Sequence, residues 1–268
     1  MLRPFEAGRV AVACAVLVAI HPVQAQSPKS LTPHRVRIDE VDYLGKHGVR
    51  IVEDSVVPNG QAYAIVKDST FHNGRIEVEL AGRPVPGAFA AARGYVGIVF
   101  RLKDEKFEYI YLRPTNGRAD DQVRRNHTTQ YSSYPSFDYA TARKEAPEKY
   151  ESYVDVEAGA WTRVAITVEG SRARLFVNGA TQPSLIVNDL KLGDATGGVG
   201  LWIGPGTEGF FRGLSIVTSG SVSGLAVSLV PRTGLARHIP RDEANRRIVF
   251  LHALTIGVGD ALPRLLTE

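Results

Sequence analysis

The sequence predicts an all-β protein, a sandwich or barrel of antiparallel strands, on three observations. Arg75-Ile76-Glu77-Val78-Glu79-Leu80 alternates polar and apolar residues strictly, the period of a half-buried strand. Comparable segments recur at 94–103, 106–113, 161–168, 172–177, 198–203 and 209–217, with weaker ones near 35–42, 48–53 and 61–66. Turn chemistry separates them: Pro58-Asn59-Gly60, Glu169-Gly170-Ser171, Asn178-Gly179 and Gly197-Gly198 favour positive φ or tight reversal. Apart from a turn or two of helix around Ala142 to Lys149, no helical periodicity precedes residue 220, and many short strands without helices between them exclude an α/β fold.

In chain order, the first element reads as a secretory signal peptide over residues 1–25. Arg3 and Arg9 precede an apolar run from Val10 to Ile20, and Val23-Gln24-Ala25 supplies the small-residue cleavage pattern. That run is well short of the roughly 20 residues a bilayer span needs, and no later segment approaches that length, so a soluble mature protein without a transmembrane segment is expected. Cys14, the only cysteine, lies inside the run. The mature chain would then hold no cysteine, which excludes a disulfide frame and a cysteine-ligated zinc. Ala11-Val12-Ala13-Cys14 is also loosely like a lipoprotein cleavage site, although it leaves very few apolar residues before the cut. An exported chain with so short a signal and no cysteines suggests a bacterial protein, periplasmic or extracellular.

The formal charge of +4 is carried largely by the signal and by residues 220–268. The body between is nearly neutral, and nucleic-acid binding through a concentrated basic face is not expected.

Three stretches of that body carry a family resemblance: GYVGIVFRLKDEKFEYIYLRP, AWTRVAITVEGSRARLFVNG and GGVGLWIGPGTEGFFRGLSI. Together they resemble the concanavalin A-like lectin/glucanase superfamily, most of all the laminin-G-like and 3-keto-disaccharide hydrolase domains of secreted bacterial proteins. The resemblance covers roughly residues 34–218. It implies a two-sheet antiparallel jelly-roll β-sandwich over 26–218, with a concave sheet that often holds a saccharide.

Alternation then assigns side chains to faces, because residues two apart share one. Ile110 and Leu112 suit the core, which turns Phe107, Tyr109, Tyr111 and Arg113 outward. Ile98, Phe100 and Leu102 suit the core, which turns Val99, Arg101 and Lys103 outward. Val199, Leu201 and Ile203 point in, leaving Trp202 out beside Gly200. A face of Tyr109, Tyr111, Trp202, Arg101 and Arg113 suits a sugar: flat rings cover the apolar faces of pyranoses and guanidinium forks bridge adjacent hydroxyls. The plain alternatives are rings merely covered by loops, and arginines paired with Glu108 or with loop acids.

The stretch RRNHTTQYSSYPSFDYATARKEAPEKYESY, residues 124–153, is too long for a hairpin turn and too aromatic for disorder, so a long ordered loop beside the groove is expected. It offers Arg124, His127 and Tyr131 as further ligand contacts, beside Arg125; a capping or surface role for His127 is the alternative.

No Glu-x-Asp-x-x-Glu strand of the superfamily's glucanases is present. The nearest substitute is Glu151 to Glu157, where Glu151 and Asp155 would share a strand face as a general acid/base pair, with His127 as a third catalytic candidate; a solvated edge is the bland reading. Asp104-Glu105 and Asp120-Asp121 are oxygen pairs of a kind that calcium uses, and also of ordinary turns, so no metal ligand and no cofactor is assigned. Gly204-Pro205-Gly206-Thr207-Glu208-Gly209 matches a dinucleotide motif formally, but a strand-like Phe210-Phe211-Arg212 follows it, so it reads as a turn. Residues 219–268 open with a linker composition at Thr218 to Gly224 and are expected to form a loosely packed tail. The expected function is a secreted carbohydrate-binding module, with a glycan-directed hydrolase resembling the 3-keto-disaccharide hydrolase domain as the alternative.

Overall fold

The structure, a computed structural model, describes residues 27–54 and 60–219. The expected signal peptide, the Pro58-Asn59 part of one turn and the expected tail lie outside those residues. Within them two seven-stranded antiparallel sheets face each other. Strands are numbered in chain order. The first sheet runs β1 (Leu31–His34), β4 (Ala62–Val66), β13 (Gly198–Ile203), β6 (Val96–Lys103), β7 (Lys106–Leu112), β8 (Thr129–Tyr134), β9 (Glu151–Ser152). The second runs β12 (Leu185–Val187), β11 (Arg172–Val177), β10 (Thr162–Glu169), β5 (Gly74–Pro84), β14 (Thr207–Thr218), β3 (Lys46–Glu53), β2 (Val36–Tyr43). This is the jelly-roll sandwich that alternation and resemblance imply, and the strand at 172–177 and that at 198–203 fall where the sequence puts them.

The interlayer follows from the period of two. Ile98, Phe100, Ile110, Leu112, Leu201 and Ile203 of the first sheet pack with Ile76, Val78, Val164, Ile166, Leu175 and Phe211 of the second in one buried cluster. Burying each such side chain contributes about 1.5–3 kcal/mol, which is what holds the sheets together. On the outer face of the first sheet Tyr63, Val99, Phe107, Tyr109, Tyr111 and Trp202 form a second, aromatic cluster.

One bulge breaks the alternation. The β6–β7 register shifts between Phe100 and Lys103, and Arg101 has φ 57°. An extra residue reverses every side chain beyond it. Leu102, which strict alternation sends to the core, therefore packs on the outer aromatic cluster, and Arg101 turns inward.

The stretch 124–153 is ordered but is no mere loop, a correction to the sequence reading. It contains β8, paired along its length with β7, then a helix α2 (Tyr139–Glu145) and the short β9. Ahead of β8, and overlapping the start of the stretch, lies a one-turn helix α1 (Gln122–Asn126), capped by the Asp121 carboxylate on Arg124 N at 2.9 Å. Asp138 caps α2 in the same way on Thr141 N at 2.8 Å. These two caps satisfy free N–H groups at the starts of α1 and α2.

Asp104 and Glu105, named above as an oxygen pair, form the β6–β7 turn with φ of 50° and 61°. Only glycine takes that conformation without cost, and such turns favour an Asp-Gly pair. Glu105→Gly should raise unfolding free energy by about 0.5–1 kcal/mol in denaturant titration; an unchanged midpoint would show the turn relaxes at no cost.

Candidate functional site

The outer face of the first sheet is the floor of a cleft of about 870 Å³. Tyr109 and Tyr111 stand two apart on β7 and stack with centroids 5.5 Å apart and planes 14° apart; Trp202 of β13 meets them at 5.2 and 4.8 Å. Gly97 makes this possible, since a Cβ there would lie 2.5 Å from Ile110 O and Tyr111 Cβ. The Trp202 indole N–H donates to Gln61 Oε1 at 2.9 Å.

Several segments wall the floor. The β5–β6 connection contributes Phe89, Arg93 and Tyr95; the chain from β7 through α1 contributes Asn116, Val123, Arg124 and His127; the end of β8 and the chain after it contribute Tyr134, Asp138, Tyr139 and Arg143; the chains before β4 and after β13 add Glu53, Gln61 and Pro205. The floor is therefore roofed rather than an open trough: Tyr109, Tyr111 and Trp202 are only 6%, 4% and 6% exposed. Loop cover, the plainer alternative, accounts for that burial, yet the cleft remains beneath the loops. More accessible rings stand at its mouth, with Phe89 and Tyr139 about half exposed.

Arg113 is held at one end. Its Nη1 donates to Glu151 Oε1 at 2.9 Å and to His127 O at 3.0 Å, and its Nη2 to Tyr111 Oη and Gln130 Oε1, both at 3.0 Å. Arg143 donates to the same carboxylate through Nε at 2.8 Å and Nη2 at 2.6 Å. Arg124 binds Asn116 Oδ1 and Thr115. His127 closes the end of α1 and lines the cleft, with Nε2 3.6 Å from Glu151 Oε2.

The electrostatics follow from this packing. Burial pulls the Glu151 carboxyl upward, but the Arg143 hydrogen bonds and the charges of Arg113 and Arg143 outweigh it and hold the group below its ordinary value. Burial pushes the Tyr109 and Tyr111 phenols up. At neutral pH the floor thus presents neutral phenols above an ionised carboxylate. Hydroxyls, flat apolar faces and anionic groups are what such a lining can engage.

Of the residues the sequence singles out, Tyr109, Tyr111, Arg113, Arg124, His127 and Trp202 line this one cleft. Arg101 does not, and its assignment to the sugar face is corrected. The bulge turns it into the interior, where it donates to the carbonyls of His72, Gly170 and Gly193 and to Asn73 Oδ1. Tyr131 is also corrected. It faces the interlayer, fully buried, with its hydroxyl donating to Glu108 Oε2 at 2.6 Å and accepting from Lys191 N at 2.7 Å. Glu108 is thereby occupied within the core, and the partner of Arg113 is Glu151 instead.

The Glu151/Asp155 acid/base pair is corrected as well. β9 ends at Ser152, so the even spacing beyond it no longer sets a common face. Asp155 pairs with Arg118 at 3.0 Å with both side chains about 60% exposed, outside the cleft lining. Glu151 lies behind the arginines, and its lowered pKa is the opposite of what a general acid needs. Asp121 is used as a helix cap, and among the described residues no group of three or more His, Cys, Asp or Glu is placed to hold a metal ion.

Sequence reasoning misses Tyr95, Gln61, Tyr139 and Arg143. Tyr139 and Arg143 stand four apart on α2, so they share a helix face, and the Asp138 cap was the available signal. Gln61 reaches the site only because β4 neighbours β13, a pairing across most of the chain.

No protein-family profile and no curated protein matches the chain. Among solved structures it is similar to a carbohydrate binding module, CBM66, from Bacillus subtilis, with 12% identity, TM-score 0.42, 69% of this chain and 93% of that one covered. It is similar also to a protein of unknown function with a galectin-like fold from Bacillus subtilis, with 12% identity, TM-score 0.47 and coverage of 74% and 94%. A third likeness is to a putative glycosyl hydrolase from Parabacteroides distasonis, with 12% identity, TM-score 0.44 and coverage of 74% and 98%.

Proposed function

We propose that the protein is an exported saccharide-binding β-sandwich and that the sugar sits in the cleft over Tyr109, Tyr111 and Trp202. One observation carries this reading: a cleft of about 870 Å³ has Tyr109, Tyr111 and Trp202 in its floor and walls bearing four arginines and a histidine. Rings cover the apolar face of a pyranose, while guanidinium and amide groups bond its rim of hydroxyls. No helix among the described residues is long and apolar enough to cross a membrane. Export rests on the amino-terminal pattern of residues 1–25.

The test is binding of defined oligosaccharides, first on a glycan array and then by calorimetry. Trp202 is too buried for alanine to report binding alone, so the variants are Tyr139→Ala at the mouth and Trp202→Phe in the floor. Tyr139→Ala should weaken binding by about 1–3 kcal/mol while the unfolding midpoint stays put, the usual cost of truncating a contacting aromatic. No saturable binding to any glycan would end the proposal.

A glycan-directed hydrolase is the second reading, favoured by the position of His127 on the cleft wall. It requires turnover of a 3-keto-glycoside that His127→Ala abolishes. Binding without turnover excludes it.

A further inference from the structure

The guanidinium groups of the cleft are unequally committed. Arg124 is engaged by Thr115 and Asn116, and Arg93 by the carbonyls of Ala90 and Ala92. Arg113 and Arg143 instead converge on one carboxylate, that of Glu151. The side chains of Arg113 and Glu151 are 6% and 3% exposed, whereas that of Arg143 is 39% exposed and lines the cleft. Two cations thus share one anion, and the excess positive charge falls to the more exposed of them, Arg143, on the cleft wall. Of the other acids, Glu148, 3.7 Å from His127, is 68% exposed; on the cleft lining Asp121 and Asp138 are exposed and cap α1 and α2, and Glu53, half-buried, accepts from Gly206 N. Arg143 Nη1 has no hydrogen-bond partner among the described residues, since its Nε and Nη2 take both oxygens of Glu151. Tyr139 lies beside both guanidinium groups, 5.9 Å from Arg113 and 5.5 Å from Arg143.

We infer that this corner of the cleft receives an anionic substituent of the bound sugar, a carboxylate or a sulfate, on the free edge of Arg143. The inference rests on the saccharide reading above and narrows it to acidic glycans. A planar guanidinium with an open edge suits either anion, and a partly dehydrated site strengthens the bond.

The experiment titrates the full chain with three probes: an oligosaccharide of glucuronic acid, a sulfated gluco-oligosaccharide and the neutral gluco-oligosaccharide of the same length. At low salt at least one acidic probe should bind about tenfold more tightly than the neutral one, the scale of a single charge-assisted hydrogen bond. Added salt should narrow the gap. Arg143→Gln should close it and Arg143→Lys should retain part of it, with thermal unfolding followed in parallel. Which acidic probe gains identifies the anion. Equal affinity for acidic and neutral probes in the wild-type chain overturns this inference and leaves the saccharide reading standing; no binding of any probe overturns both.

Discussion

Arg101→Met should lower the unfolding free energy by about 3–5 kcal/mol, because it leaves several buried acceptors without a donor at once. The Arg101 side chain is 0% exposed, and its donors satisfy three backbone carbonyls from separate segments, at His72, Gly170 and Gly193. Methionine fills most of the same volume but offers no donor. Each orphaned carbonyl then costs about 1–3 kcal/mol, and the three segments lose the link that ties them to β6. Chemical denaturation measures the loss, and a change under about 1 kcal/mol would sink the idea that Arg101 pins this end of the sandwich. Sugar affinity should be unchanged in the remaining folded protein, which separates a pinning residue from a ligand contact.

Glu151→Gln is the second large effect, again about 3–5 kcal/mol at neutral pH, because Arg113 is left nearly buried with its counter-charge removed. Its pH signature identifies the cause. The Glu151 carboxyl is held below its ordinary value of 4.5 in the folded chain. A group with a lowered folded pKa contributes stability that is complete above the unfolded value and lost as pH falls through the folded one. Wild type should therefore lose this contribution on acidification from about pH 4.5 downward, and the variant should not. The variant's stability-versus-pH curve should be flatter over that window but not flat, since Glu77, Asp189 and Glu208 are also lowered by their partners. Parallel acid limbs in the two proteins would show that Glu151 is not the coupled group.

Both residues show how far the sequence carries. The sandwich is legible because its two environments are written with a period of two: Ile110 and Leu112 against Tyr109 and Tyr111 on β7, Leu201 and Ile203 against Trp202 on β13. Those same strands hold the floor of the cleft, so the floor is legible too. Arg101 is misplaced because a bulge inserts one residue, and no residue type in Phe100-Arg101-Leu102 announces it; the bulged position is an arginine where glycine would have been a signal. β8 is hidden for a different reason. Thr129 to Tyr134 carries polar residues toward both faces, with Gln130 and Ser132 on one side and Ser133 bonded to the Phe107 carbonyl on the other, so no apolar alternation survives. Tyr131 reads as a loop residue only because its strand does. The walls of the cleft come from several distant connections, and their convergence is a property of sheet order that local pattern does not encode.

The ends of the two sheets have a bearing on how the protein behaves in concentrated solution. Among the described residues, three of the four outermost strands are stubs: β9 has two residues, β12 three, and β1 four with Pro33 among them. Stubs give a neighbouring molecule little unpaired backbone to zip onto. The fourth, β2, is eight residues long, and its sequence Val-Arg-Ile-Asp-Glu-Val-Asp-Tyr sets Arg37, Asp39 and Asp42 along the margin. Ionised side chains of that kind discourage a long margin from pairing with a neighbouring chain, so neutralising them is the change expected to favour strand-on-strand association.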